Sequence, residues 1–166
     1  MPVIDATVGG TTANSYVTTS EAQEYFSSRV HSVSWDTVDD EAVALISATN
    51  ILEFYARFNG MKASVSQALA WPRLDAYDRD GFLLSVNEIP KQIKYAVFEI
   101  AIASIEEDPT TPHDMIGLSE VKVGPIKVVA QKSGVKKYPI PLVVWNILSG
   151  LVSNSPNSYN RMLVRY

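Results

Sequence analysis

Hydrophobic positions change period several times along the chain, and each change marks an element. Residues 2–17 alternate loosely, with Val3, Val8 and Val17 around a Gly9-Gly10 break, which predicts an extended arm or edge strand. Two overlapping capping boxes follow, Thr18 with Glu21 and Ser20 with Gln23. Each sets a hydroxyl acceptor three residues ahead of a side chain able to return to the cap amide, and together they predict a short helix to about Arg29. Thr37, ahead of Asp39, Asp40 and Glu41, predicts the start of a long second helix whose carboxylates face the positive end of the helix dipole. Leu45, Ala48, Leu52 and Tyr55 form one stripe of it, Ile51, Phe54 and Phe58 lie beside that stripe, and Asn59-Gly60 supplies a left-handed stop.

A polar stretch containing Trp71-Pro72 separates this helix from the next, and Asp78-Arg79-Asp80-Gly81 within it reads as a turn, because Asp caps its own backbone and Gly accepts positive φ. From Pro90 to about Glu107, Ile93, Val97 and Ile100 form one row and Phe98, Ile102 and Ile105 another, so apolar residues nearly encircle the predicted helix. Such a helix is central to a core or shared with a neighbour. Asp108-Pro109 ends it. Around residues 119–138 the period becomes two: Val121, Val123, Ile126, Val128 and Val135, interleaved with lysines and broken at Gly124-Pro125 and Ser133-Gly134, fit a small β-ribbon. Pro141 suits the first turn of a last helix, in which eight of the eleven residues from Leu142 to Val152 are apolar. The tail from Ser153 opens on a Ser-Asn-rich linker and closes on the cationic, apolar peptide Arg161 to Tyr166. These patterns predict a mainly α fold: a bundle of about four helices with a small β-ribbon near residues 119–138 and extended N- and C-terminal arms. Residues 1–152 form one helical domain, and residues 153–166 its tail.

Composition adds exclusions. The chain has 166 residues, 46% of them hydrophobic, which suits one domain with a sizeable core, and its lack of cysteine removes disulfides, thiolate metal sites and cysteine nucleophiles together. Nothing in the first ten residues has signal-peptide character, so an intracellular or particle-borne protein is expected. The uncharged run from Tyr138 to Asn160 is apolar over about 13 residues and starts with two prolines, short of the roughly 20 that a membrane span needs.

Charge layout changes the picture more than the net charge of −4 does. Residues 1–120 hold all 18 acidic side chains and seven basic ones; residues 121–166 hold Lys122, Lys127, Lys132, Lys136, Lys137, Arg161 and Arg165 with no acid. Such opposite segments predict that the basic one meets something acidic: its own body, a neighbouring subunit, another protein or nucleic acid.

Catalysis has little to work with. His31 and His113 stand in polar settings with no metal-ligand spacing between them, and no nucleophile elbow or phosphate loop is present. Aligning Gly81 with the glycine of a calcium loop puts Asp78 and Asp80 in ligand slots but leaves Asn87 where the bidentate carboxylate belongs, so a structural turn is expected and no metal or cofactor. Lysines with aromatics also build single-strand grooves. Phe54, Tyr55, Phe58, Tyr95 and Phe98, however, fall at helical spacing in apolar stripes, where core packing is the expected role.

The ordered set Ala13-Asn-Ser-Tyr-Val17, Glu21-Ala-Gln-Glu-Tyr-Phe26, Trp35, Arg57-Phe-Asn-Gly60, Gln67-Ala-Leu-Ala-Trp71-Pro72-Arg73, Asp78-Arg-Asp80-Gly81-Phe82, Ile89-Pro90 and Val123-Gly-Pro-Ile126 resembles the head-to-tail connector (adaptor) family of tailed bacteriophages, which also carries the label of a DnaT-like single-stranded-DNA-binding protein. The resemblance implies a non-enzymatic virion component in the neck, assembled in the host cytoplasm as a homo-oligomeric ring, commonly a dodecamer. Such a ring sits between the portal protein and a tail or neck protein and passes genomic DNA through its channel without reading sequence. It identifies no catalytic residue.

On that implication, Lys122, Lys127, Leu142, Trp145 and Leu148 are candidate subunit contacts. The tail is a candidate portal-docking segment: Arg161 and Arg165 pair with portal carboxylates while Met162, Leu163, Val164 and Tyr166 fill apolar grooves. Competing readings are a single-stranded-DNA-binding module, another phage neck or tail-completion protein, and a small hydrolase or metal enzyme, for which no nucleophile, base or ligand set is recognisable.

Overall fold

The computed structural model describes residues 2–106, 121–123, 126–128 and 140–154. It is mainly helical, as the periodicity predicts: α1 (Thr19–Ser27), α2 (Val33–Asp36), α3 (Glu41–Tyr55), α4 (Lys91–Glu106) and α5 (Leu142–Ile147), with two-residue strands β1 (Met61–Lys62) and β2 (Arg73–Leu74) and the ribbon β3 (Val121–Val123) and β4 (Ile126–Val128). Both strand pairs are antiparallel. Met61 lies opposite Leu74 in the first; Val121 lies opposite Val128 and Lys122 opposite Lys127 in the second.

α4 is the centre of the molecule. Ile93, Ala96, Val97, Phe98, Ile100, Ala101 and Ile102 are all buried, which is why apolar residues run nearly around it. It packs against α3, α5 and α2, and α1 rests on α3. Phe26 of α1 stacks on Trp35 of α2 with ring centroids 4.4 Å apart, and Tyr25 stacks on Phe98 at 4.7 Å. Each such side chain removed from water is worth about 1.5–3 kcal/mol. The N-terminal arm doubles back on itself: Asp5 accepts backbone N–H bonds from Asn14 and Ser15, and its own N–H donates to Asn14 Oδ1. Tyr16 and Val17 then enter the core.

Several boundaries differ from the sequence reading, each for a local reason. The Thr18–Glu21 capping box forms; the Ser20–Gln23 box does not, because Gln23 instead donates to the Glu41 carboxylate. α3 is capped by Asp40, whose Oδ1 accepts the N–H groups of Ala42 and Val43, whereas Thr37 closes the short α2. α3 also stops at Tyr55, four residues before Asn59, because the chain after it bonds to residues 150–154. Phe58 bridges Val152, Asn59 N–H donates to Leu151 O, and Ser153 N–H donates to Arg57 O. Asn154 caps the exposed end, its Oδ1 accepting Arg57 N–H and its Nδ2 donating to Tyr55 O. Ser153 and Asn154, assigned to the tail by sequence, are thus bonded to the body.

The expected stripe of α3 is right for Leu45, Ala48, Ile51 and Leu52, all buried, and wrong for Phe54, which is 84% exposed, and Tyr55, also exposed. α5 is shorter than the apolar run predicts. It ends before Gly150 at φ +95°, and Leu151 is buried in the turn that follows and Val152 in a bridge to Phe58.

Candidate functional site

The words that carry the resemblance make a buried polar knot beside α3. Tyr16 Oη donates to Glu53 Oε1 and accepts from Trp71 N–H, while Glu53 Oε2 accepts from Ala70 N–H at 3.0 Å. Burial pushes the Tyr16 hydroxyl and the Glu53 carboxyl both above their ordinary values; for Tyr16 the neighbouring Glu53 adds to the rise. Gln67, almost wholly buried, replaces missing secondary structure with its amide: Oε1 accepts Ser64 N–H, and Nε2 donates to Leu69 O and Pro72 O. Arg73 closes the knot by donating from Nε to Asn59 O at 2.7 Å, from Nη1 to Ala70 O, and from Nη2 to Phe58 O and Gly60 O. Trp71 is buried and meets Phe58 edge to face; the Trp71-Pro72 bond is cis. A guanidinium spent on carbonyls and a carboxylate spent on a tyrosine hydroxyl and a backbone N–H are satisfied by the fold itself, so the Trp71-Pro72-Arg73 word is scaffolding.

A second knot ties α1 to α4. Glu99 accepts from Tyr25 Oη at 2.7 Å and from Arg29 at 2.8 Å, and Lys94 reaches Glu21 at 2.6 Å. Burial pushes the Glu21 carboxyl up, but bonds from Lys94 and Thr18 outweigh it and hold the group below its usual value. The carboxylates Glu53 and Glu99 that one would suspect of acid–base chemistry are therefore committed to structure.

Asp78, Asp80 and Gly81 form the expected turn. Asp78 Oδ1 accepts the N–H groups of Asp80 and Phe82, Gly81 sits at φ +90°, and Tyr77 bridges Leu83. Among the described residues, no three His, Asp or Glu side chains gather where a metal ion would be held, and no helix is long and apolar enough to cross a membrane.

The sequence-derived contact residues are dispersed. Trp145 and Leu148 are buried in the subunit's own core, whereas Leu142 stays exposed at the start of α5. Lys122 and Lys127 face each other in the register of the β3–β4 ribbon. Arg161, Met162, Leu163, Val164, Arg165 and Tyr166 lie outside the described residues, as do His113 and the rest of the expected ribbon.

What the surface does offer is acidity, scattered apolar side chains and a cleft of mixed lining. Residues 2–106 and 140–154 carry fourteen acidic against seven basic side chains. Phe54, Val65 and Phe82 are each more than two-thirds exposed. A cleft of about 370 Å³ opens where the Asp78–Gly81 turn, the first turns of α4 and the end of α5 meet. Arg79 and Asp80 enter it from the turn, Lys91, Gln92 and Tyr95 from α4, and Asn146 from α5. Lys91 Nζ lies 5.0 Å from the centre of the Tyr95 ring, and contact with the Tyr95 hydroxyl raises the lysine's affinity for its proton. The sequence reading missed this cleft, although the i, i+4 spacing of Lys91 and Tyr95 on a helix signals that the two side chains meet.

Against known proteins, the family model described as "Putative DnaT-like ssDNA binding protein" matches residues 1–166, and the chain belongs to that family. No curated protein and no solved structure matches it significantly.

Proposed function

We propose that this member of the DnaT-like family is a non-enzymatic assembly protein of a tailed phage. In this reading it is one subunit of a closed, dodecameric ring in the virion neck that joins the portal vertex to the tail and prolongs the DNA channel, and it is assembled in the host cytoplasm. One observation supports this above the rest: an acidic body leaves Phe54, Val65 and Phe82 on its surface, in a chain whose residues 121–166 bring seven cations and no acid. A ring built from one kind of subunit needs two unlike flanks that complement each other, and opposite charge with apolar anchors is a physical basis for such flanks. The purified full-length protein, weighed by light scattering and imaged by negative-stain electron microscopy alone and with portal protein, should give rings that loosen as salt is raised. A strict monomer indifferent to portal would overturn the reading.

Single-stranded-DNA binding is a second reading, favoured by the family's description and by the two cations that line the cleft. The described residues carry an excess of acids over bases, which disfavours phosphates over much of their surface and favours the cleft or residues 121–166 as the place for a strand. Fluorescence titration with oligonucleotides across a salt series tests it, since phosphate contacts impose a steep salt slope.

A further inference from the structure

Seven cations occur among residues 2–106, and the fold uses four of them itself. Arg29 is held by Glu99 and Lys94 by Glu21; Arg73 is spent on four carbonyls, and Lys62 Nζ lies 3.4 Å from the carbonyls of Gln67 and Ala68. Two of the remaining three, Arg79 and Lys91, line the same cleft, where Lys91 rests over the Tyr95 ring without a carboxylate partner among the described residues. Neither forms an ion pair among the described residues, although Asp80 shares the cleft with them.

From this placement we propose that the cleft between the Asp78–Gly81 turn, α4 and α5 binds a phosphodiester of single-stranded DNA, with Arg79 and Lys91 as the charge-bearing contacts and the amides of Gln92 and Asn146 as neutral donors to the remaining oxygens. The proposal rests on the single-stranded-DNA reading above. Its chemistry admits an anion: two cations and two solvent-accessible amides line it, beside Tyr95, Ile147 and Ser149. The volume lies at the lower end of the ~300–1,000 Å³ usual for small-ligand sites, enough for a phosphate with part of its nucleotide rather than a long strand. The backbone at Gly150 runs close under the turn: a Cβ at Gly150 would stand 3.2 Å from Arg79 Cα. A guanidinium mounted on a braced turn loses less freedom on binding than one on a free loop. Asp80 is the discordant member, and its carboxylate weakens any phosphate seated beside it.

The test is fluorescence-anisotropy titration of a labelled short oligothymidylate with the full chain at low salt, comparing wild type, R79A/K91A and D80N, with dTMP as a competitor. All three changes are at exposed positions, and circular dichroism confirms that each variant is folded. The double variant should bind at least about tenfold more weakly and lose about 1.4 from the salt slope, roughly 0.7 for each single-strand phosphate contact removed. D80N should bind more tightly, which a merely structural role would not produce. Affinity unchanged in both variants would overturn the cleft while leaving single-strand binding to residues 121–166. Wild type without affinity for the oligonucleotide would overturn both, and dTMP binding as tightly as the oligonucleotide would replace the strand by a free nucleotide as ligand.

Discussion

Gly60 shows how much one backbone position carries. It sits at φ +75°, its carbonyl accepts from Arg73, and a Cβ would stand 2.2 Å from Leu74 O, which is backbone and cannot swing aside. Gly60→Ala is therefore expected to cost about 2–4 kcal/mol, seen as a lowered urea midpoint, through strain and the parting of β1 from β2. Glu53 makes a prediction with a sign. Because burial raises its carboxyl above 4.5, the native protein holds that proton more tightly than the unfolded chain does. The stability so gained is complete below about pH 4.5 and is lost as pH rises through the higher native value. Glu21, lowered by Lys94 and Thr18, works the other way: its contribution is present above about pH 4.5 and is lost as pH falls. Glu53→Gln removes the first titration only. Urea melts between about pH 4 and pH 7 should show wild type losing stability relative to this variant as pH rises, and a constant difference would show that Glu53 is not the group responsible.

Helices whose signals are local were legible in the sequence, and their ends were not where tertiary contacts decide them. The Thr18–Glu21 box and the two-row pattern of α4 are complete within a few residues of chain, and both elements lie close to their expected places. The end of α3 depends on Asn154, about a hundred positions away, which no local pattern announces. Phe54 and Tyr55 have the helical spacing of core residues, and their exposure shows only in the fold. Asn154→Ala should remove a cap worth about 1–2 kcal/mol and lower the melting temperature by several degrees, while leaving α4 intact by hydrogen exchange. The motif knot was half legible: Gln67 to Arg73 stood out as a word, but that its side chains serve the fold emerges only when Tyr16 and Glu53 arrive from distant segments. The cleft was hidden because its walls come from three elements, and only the Lys91–Tyr95 step lies within one of them.

For the molecule entire, the separation of charge is the property with the widest reach. It is plain in the sequence, whereas the acidic body's exposed apolar residues needed the fold to reveal them. Because Asn154 belongs to the body, a test of the proposed portal contact should remove residues 155–166 and nothing before them. That truncation should keep the melting temperature within a degree or two and abolish attachment to portal particles; attachment equal to wild type would dismiss the tail as the docking segment. The splice of residues 150–154 onto the segment after α3 also decides how the subunit meets a mechanical load. Tension applied to the chain beyond Asn154 arrives first at Tyr55 and Arg57, then at Asn59, so the end of α3 takes the strain and α5 is shielded until that splice has torn.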